Sequence, residues 1–161
     1  MRISDDIIHF LNKQNYTVVS TIGRDGYAHN SCKGIVTIDP RGYIQLLDLY
    51  KQSTYKNLKR NPVISLTAVD EHKFIGYSLK GRARIVDKED IQQDMLLAWN
   101  RKITSRLSGR LIRNIKGDRG HSSHPEAILP EPEYIIYMRV EKIVDLTPRD
   151  ILKQGIKRKE N

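Results

Sequence analysis

The sequence has little of what secreted and membrane proteins depend on. It contains one cysteine, Cys32, among 161 residues, so no disulfide can form within the chain, and a reducing compartment suits it. We expect this cysteine to be a small buried residue rather than a nucleophile. No stretch approaches the roughly 20 apolar residues that a membrane-spanning helix needs. The N-terminus has no long apolar run of the kind found in signal peptides. These absences predict a soluble, cytoplasmic protein that does not enter a membrane.

Patterns typical of several enzyme classes are also missing. Neither G-x-x-x-x-G-K nor G-x-G-x-x-G occurs, so the usual phosphate-loop and dinucleotide fingerprints are absent. Ser31 and Cys32 lie near His29 in the sequence. However, alternation along a strand sends adjacent side chains to opposite faces, and we therefore reject nucleophilic catalysis there.

A metal site is weakly indicated at one place. His121 and His124 are close together, and Glu126 follows them. Pro125 breaks any helix that could align the two rings, and a zinc site needs three or four ligands. We therefore predict no metal site and leave the role of the two histidines open.

Positive charge is the clearest compositional feature. The chain has 28 Lys and Arg against 19 Asp and Glu, a formal charge of +9, with 39% hydrophobic residues. Such a balance favours anionic partners, namely phosphorylated cofactors, nucleic acid or acidic membrane surfaces. A nucleic-acid-binding barrel would need aromatic side chains grouped into one stacking platform. The tyrosines are instead scattered over different predicted elements, and nucleic acid is therefore the less favoured partner.

The pattern of apolar residues predicts one β-rich domain over residues 1–161, because a chain of this length supports a single core. Six or so strands separated by tight turns, with three or four short helices, indicate a small antiparallel barrel with helices around its rim. The predicted strands are Tyr16–Ile22, Tyr27–Ile38 with a bulge or close approach at Gly34, Tyr43–Leu49, Val63–Val69, Phe74–Val86 and Tyr134–Leu146.

Helices and loops are predicted between these strands. A first helix lies within residues 1–15, and Asp87 is expected to cap the longest helix. That helix has an apolar stripe at steps of four, formed by Ile91, Met95, Trp99, Ile103 and Leu107. Residues 108–133 lack any sustained period and form a predicted mobile loop. Residues 155–161 form a polar tail that we expect to be frayed.

The stretch from Tyr43 to Pro62 is the most informative part of the chain. An apolar strand is followed by a basic corner, and Ser53 or Thr54 can cap a helix that Pro62 ends. A helix start with unpaired N–H groups, two hydroxyls and nearby Lys51 and Lys56 can receive a phosphate. Ordinary N-capping beside a solvated basic face is the alternative.

Three segments in this part of the chain occur in a recognisable order. They are the Asp25-Gly26 turn, the polar run His29-Asn30-Ser31 after it, and Thr54 to Pro62, which reads T-x-x-N-L-x-x-N-P. In this order they resemble the FMN-binding split-barrel family related to pyridoxamine 5'-phosphate oxidase. The likeness covers roughly residues 16 to 86, and the closing PEPEYIIYMRVEKIVDLTP more loosely. It implies a mainly β fold, a six-stranded antiparallel split β-barrel with rim helices.

The resemblance implies that the cofactor is FMN and that its phosphate binds at the corner. Ser53, Thr54 and Asn57 would be hydrogen-bonding groups, and Lys51 or Lys56 would supply the countercharge. Many relatives carry Lys or Arg just before or at the position of the threonine, where this chain has Ser53-Thr54. The countercharge must therefore come from the two named lysines or from a partner subunit.

The same resemblance implies which residues flank the isoalloxazine ring. They lie on the second strand and at the end of the central strand, and they are His29, Asn30, Ser31, Lys33, Leu47 and Asp48. Lys33, if near the N1 and O2 edge of the ring, would stabilise the anionic reduced flavin. Its alternative interpretation is an exposed strand lysine.

Family members are usually homodimers with two flavins at the interface, so the resemblance also implies a second copy as partner. Arg106, Arg110, Arg113 and His124 are candidates for reaching the site of the other chain, although loop cations are commonly just solvated. The leading hypothesis is an FMN-dependent oxidoreductase acting on an unidentified small substrate or a pyridine nucleotide. The alternatives are an FMN carrier or electron-transfer protein, a reductase binding the deazaflavin F420, and a basic barrel binding nucleic acid.

Overall fold

The computed structural model describes residues 1–101, 104 and 132–148. This part of the chain contains two named helices, one short 3-10 turn and seven strands, and residues 93–101 are also helical. In chain order the elements are α1 Asp5–Lys13, β1 Thr17–Ile22, β2 Ala28–Lys33, β3 Ile35–Asp39, β4 Tyr43–Asp48, α2 Ser53–Arg60, β5 Val63–Asp70, β6 Ile75–Asp87, the 3-10 turn Lys88–Asp90 and β7 Tyr134–Asp145.

The strands form one antiparallel sheet that must curl on itself. Its order is β2-β1-β5-β6-β7-β4-β3, so β2 and β3 are the two edge strands. Only Gly34 separates these two strands in the sequence. A single residue spans less than about 4 Å, so the two edges of the sheet must come together. Full or partial closure of this kind is what makes a sheet into a barrel.

The core fills the inside of the curled sheet. Along β1, Thr17, Val19 and Thr21 are buried while Val18 and Ile22 are exposed, as expected for a strand with one face on a core. Burying a large aliphatic side chain contributes about 1.5–3 kcal/mol relative to leaving it in water. The most fully buried side chains include Leu11, Ile44, Leu46, Ile64, Leu66, Leu79, Ile136 and Met138.

The two named helices pack on this sheet by their apolar faces. α1 contributes Leu11 to the core, and its Phe10 ring meets the Tyr77 ring edge to face at 5.2 Å. α2 packs against β1, β2 and β6 and buries Leu58. α2 therefore lies beside the first two strands, which is the placement that matters for the site.

The predicted barrel is confirmed, but the strand count differs: the structure has seven strands where the sequence indicated six. The predicted single strand from Tyr27 to Ile38 is divided at Gly34 into β2 and β3, and a register shift follows at once between Ile35 and Thr37. The chain changes from one edge of the sheet to the other at this glycine. The division adds the seventh strand, and it links the two edge strands β2 and β3 through Gly34 alone.

Two predictions about single residues are wrong. Cys32 is exposed rather than buried, because it lies on the outward face of β2, an edge strand. Asp87 does not cap the longest helix, since it precedes the 3-10 turn Lys88–Asp90 and makes no side-chain cap there. Its carboxylate instead bonds Lys51, Lys59 and the Tyr55 hydroxyl. Ile103 and Leu107 of the predicted stripe lie outside the described residues.

None of the helices that the structure describes combines the length and the apolar character needed to cross a membrane.

Candidate functional site

The inward face of β2 presents three of the predicted site residues in a row. His29, Ser31 and Lys33 are register partners of the buried β1 residues Thr21, Val19 and Thr17. Because strand side chains alternate, these three side chains point to the same side as the barrel interior. Lys33 is buried, and His29 and Ser31 are half-buried. The row therefore lines the inner side of one barrel edge.

The corner between β4 and α2 lies beside this row and leaves a helix start open. α2 begins after Gln52, with no side-chain cap and no acidic residue in its first turn. The prediction that Ser53 or Thr54 caps the helix is therefore wrong. Lys51, Ser53 and Lys56 are exposed, so the positive end of the helix dipole is surrounded by donors and cations rather than by a capping group.

Glu133 holds the chain in this corner, although sequence reasoning gave it no role. Its carboxylate accepts a hydrogen bond from the Lys51 amide at 2.8 Å, and its own amide donates to the Asp48 carbonyl at 3.0 Å. The end of β4 and the beginning of β7 thus fix the path of the chain into α2. No local sequence signal could have linked residues so far apart.

Thr54 and Asn57 attach α2 to the barrel. They are only 4% and 7% exposed. The Thr54 hydroxyl lies 3.1 Å from the Ser31 hydroxyl, and the Asn57 amide donates to the Thr21 hydroxyl at 3.0 Å. Because buried polar groups need partners, these bonds give the T-x-x-N pattern a structural reason. They position the start of α2 against the inward face of β2.

An ion pair joins the two sides of the barrel seam. The Lys33 ammonium contacts the Asp48 carboxylate, with side-chain exposures of 8% and 14%. The same carboxylate oxygen accepts the Tyr134 hydroxyl at 2.5 Å. Burial raises the pKa of Tyr134, and its bond to Asp48 raises it further. Tyr134 therefore stays protonated and acts as a hydrogen-bond donor to the carboxylate.

A second, exposed cluster lies on the outer side of α2. The Asp87 carboxylate accepts hydrogen bonds from Lys51 Nζ at 3.0 Å, Lys59 Nζ at 3.1 Å and the Tyr55 hydroxyl at 3.0 Å. The bonds from Lys51 and then Lys59 lower the pKa of Asp87 to about 2, so it is ionised at neutral pH. In return, Asp87 raises the pKa of both lysines.

The buried pair and the exposed cluster are connected through two aromatic rings. Tyr55 and Tyr134 meet edge to face, with ring centroids 5.0 Å apart. Tyr134 bonds Asp48 on one side of this contact, and Tyr55 bonds Asp87 on the other. One continuous set of polar and aromatic contacts therefore extends from the inside of the seam to the surface of α2. Sequence reasoning missed Tyr55, Tyr134 and Asp87 as members of this set.

Two of the predicted ring-flanking residues point away from the others. Asn30 is exposed on the outward face of β2, where its side-chain oxygen accepts the Ser20 hydroxyl at 2.7 Å. Leu47 precedes Asp48 on β4 and so points to the opposite face, opposite Ile135 of β7. Contacts join some of the predicted site residues: Ser31 with Thr54, and Lys33 with Asp48. His29 and Asn57 both neighbour Thr21. Lys51, Ser53 and Lys56 are exposed around the start of α2.

Other predicted residues cannot be placed. Arg106, Arg110, Arg113, His121, His124 and Glu126 lie outside the described residues. Within the described ranges, no group of three or more His, Cys, Asp or Glu side chains could hold a metal ion.

Two open clefts of about 510 and 500 Å³ lie away from the corner. The first separates β3, β4 and Tyr137 from the helical residues 93–101, and the second lies on the outer face of β1, β5 and β6. Neither is lined by Lys33, Asp48 or any residue from 51 to 57.

Comparison with known families gives one match that spans most of the chain. A family model described as pyridoxamine 5'-phosphate oxidase matches residues 3–129. This range includes β1 to β6, α2 and the whole corner. A search of curated proteins finds no match.

Solved structures share the fold at low sequence identity. HupZ of group A Streptococcus is 18% identical, with 90% of this chain and 94% of that chain covered and a TM-score of 0.62. A Clostridium acetobutylicum protein related to general stress protein 26, of the pyridoxinephosphate oxidase family, is 18% identical, with 91% and 94% covered and a TM-score of 0.55. An F420 reductase is 16% identical, with 88% and 98% covered and a TM-score of 0.55.

Proposed function

The chain belongs to the pyridoxamine 5'-phosphate oxidase family, and on this basis we propose that it binds FMN and acts as an oxidoreductase on a small substrate or with a pyridine nucleotide. The observation that carries the proposal is the uncapped start of α2 beside Lys51, Ser53 and Lys56. Backbone N–H groups at a helix start, with cations close by, are suited to a phosphate monoester.

The donor set of the corner fits the phosphate of FMN. Ser53 and the first amides of α2 would hold the phosphate, with Lys56 and Lys51 as countercharge. Thr54 and Asn57 would act indirectly, because their side chains already hold α2 against β2 and β1. FMN, when bound, would supply the electron and hydride chemistry itself, so the chain needs to bind and orient it rather than to provide a catalytic triad.

The ring would be flanked by the inward row of β2 and by Asp48. His29 and Ser31 are half-buried. The imidazole nitrogens of His29 and the hydroxyl of Ser31 would orient the flavin ring by hydrogen bonds. Lys33 is already paired with Asp48, and the pair carries no net charge. It would therefore support an anionic reduced flavin less strongly than a free ammonium group would. Asn30 and Leu47 could contribute only from the outer faces of their strands.

A homodimer is part of the proposal. Lys51, Ser53 and Lys56 are exposed at the corner, and a second copy packed there would help to enclose a cofactor. The outer face of β1 and β5 also carries apolar side chains that a second copy could cover, with exposures of 37–57% at Val18, Ile22, Val63 and Val69. Light scattering after size exclusion should give a mass near twice 18.7 kDa. A mass of one chain would contradict this part.

The main test is the visible spectrum of the purified protein and of the protein after reconstitution with FMN. We expect the paired absorption bands of a flavin and their bleaching when NADH or NADPH is added anaerobically. A protein that holds FMN but is reduced by neither nucleotide would favour a flavin carrier. A protein that holds no flavin after reconstitution would contradict the proposal.

F420 is a second candidate cofactor, and one specific observation favours it. One of the structures with this fold is an F420 reductase, and the net charge of +9 suits a cofactor with a longer acidic tail. Parallel titrations with FMN and F420 would separate the two. Tighter binding of F420 would replace FMN in the proposal and leave the rest of it in place.

A further inference from the structure

Lys51, which precedes α2, and Tyr55 and Lys59 of α2 form one surface that we call the lysine face. Lys51 and Lys59 place their ammonium nitrogens 5.3 Å from the centre of the Tyr55 ring. Tyr55 and Lys59 are four apart and so lie one above the other on α2, while Lys51 reaches the same ring from the chain before the helix. It is a surface extension of the corner.

Asp87 occupies this face from outside the helix. It is the last residue of β6. Its carboxylate bonds the ammonium groups of Lys51 and Lys59 and accepts a hydrogen bond from the Tyr55 hydroxyl. The three donors therefore converge on one anion. This is the arrangement that a phosphate or carboxylate oxygen of a ligand would need, and the chain supplies the anion itself.

We propose that Asp87 is an internal competitor for the anionic part of the ligand that binds at the α2 corner. While Asp87 pairs with Lys51 and Lys59, their ammonium groups are not available to a phosphate. A ligand can bind these two lysines only by displacing the Asp87 carboxylate. Asp87 would thus lower the affinity for weakly charged ligands and favour ligands with two or more anionic groups. The inference rests on the proposed function for the identity of the ligand, but not for the existence of the anion site.

Displacement is physically reasonable because the cluster is exposed. The side chains of Lys51, Lys59 and Asp87 are 36%, 50% and 27% exposed. Exposed ion pairs contribute little to stability and are screened by salt, so the exchange of one anion for another needs no change in the core. The ionised state of Asp87 at neutral pH means that it competes under all ordinary conditions.

The test compares Asp87→Asn with Asp90→Asn. Both variants remove one negative charge, but Asp90 is an exposed residue of the neighbouring 3-10 turn and serves as the control for net charge. Titration calorimetry would be done with FMN and, separately, with inorganic pyrophosphate. Freeing two exposed lysines should tighten binding by about three- to tenfold in Asp87→Asn, and distinctly less in Asp90→Asn. Adding Lys51→Gln and Lys59→Gln together to Asp87→Asn should remove the gain.

The outcomes separate this inference from the proposed function. If the wild type binds FMN but Asp87→Asn gains no more than Asp90→Asn, the inference is wrong and the proposed function stands. If no variant binds FMN but Asp87→Asn binds pyrophosphate more tightly than both other proteins, the proposed function is wrong and the anion site stands. A gain that persists after both Lys51→Gln and Lys59→Gln would also overturn the inference, because the freed lysines would not be its cause.

Discussion

Lys33 on β2 and Asp48 on β4 form an ion pair between two strands that are not hydrogen-bonded neighbours in the sheet. The pair lies where the two edges of the curled sheet meet. No backbone hydrogen bonds pair β2 with β4 in the sheet. The Lys33–Asp48 ion pair joins the two strands through their side chains. Tyr134 adds a hydrogen bond to the same carboxylate, and the pair is thereby fixed to β7 as well.

The first prediction concerns the stability of this seam. Lys33→Met leaves the Asp48 carboxylate largely buried without its cation, and removing one partner of a buried pair costs about 3 kcal/mol of unfolding free energy. Urea denaturation followed by circular dichroism would measure the loss. The double variant Lys33→Met, Asp48→Asn removes the uncompensated charge, and it should recover part of the loss. A single variant as stable as the wild type would show that the pair does not hold the seam.

The second prediction separates residues that hold α2 from residues that would hold the ligand. Asn57→Ala leaves the Thr21 hydroxyl without its partner in a buried place and should lower the free energy of unfolding by about 1–3 kcal/mol. Lys56→Ala, on the exposed side of the same helix, should change stability by less than about 0.5 kcal/mol. It should nevertheless weaken FMN binding.

Urea midpoints and FMN titrations on the two variants check this division of roles. The prediction fails if Asn57→Ala is as stable as the wild type, or if Lys56→Ala binds FMN as the wild type does.

The third prediction concerns pH and Asp87. The lysine bonds lower its pKa from 3.8 to about 2 in the folded chain, below its value in an unfolded chain. The contribution of Asp87 is therefore fully present above about pH 4 and is lost as the pH falls toward about 2. The urea midpoint of the wild type should exceed that of Asp87→Asn at pH 5, and the difference should shrink at pH 2. An unchanged difference would mean that the carboxylate is not stabilised by these lysines.

Sequence reasoning predicted the features that are set locally. The Asp25-Gly26 turn forms, with Gly26 at φ +84° and the Gly23 amide bonded to the Tyr27 carbonyl at 2.7 Å. α2 ends before Pro62, as predicted. Each of these follows from residues within one turn or one strand of each other, where the intrinsic preferences of the chain decide.

The failures arise where a contact between distant residues outweighs the local preference. Thr54 is a good capping residue by type, but its hydroxyl meets Ser31, 23 residues away, and Gln52 takes the capping position instead. Asp87 has the properties of a helix cap, yet Lys51 and Lys59 bind it. Tyr134 and Asp48 are 86 residues apart, and no periodicity or spacing could have paired them.

The most direct measurement compares FMN with riboflavin, which has the same ring system but no phosphate. If the phosphate binds at the start of α2, the wild type should bind FMN at least about tenfold more tightly than riboflavin in a fluorescence-quenching titration. The preference should decrease at high salt and in Lys56→Ala. Equal affinities for the two compounds, or no binding of FMN, would contradict the account.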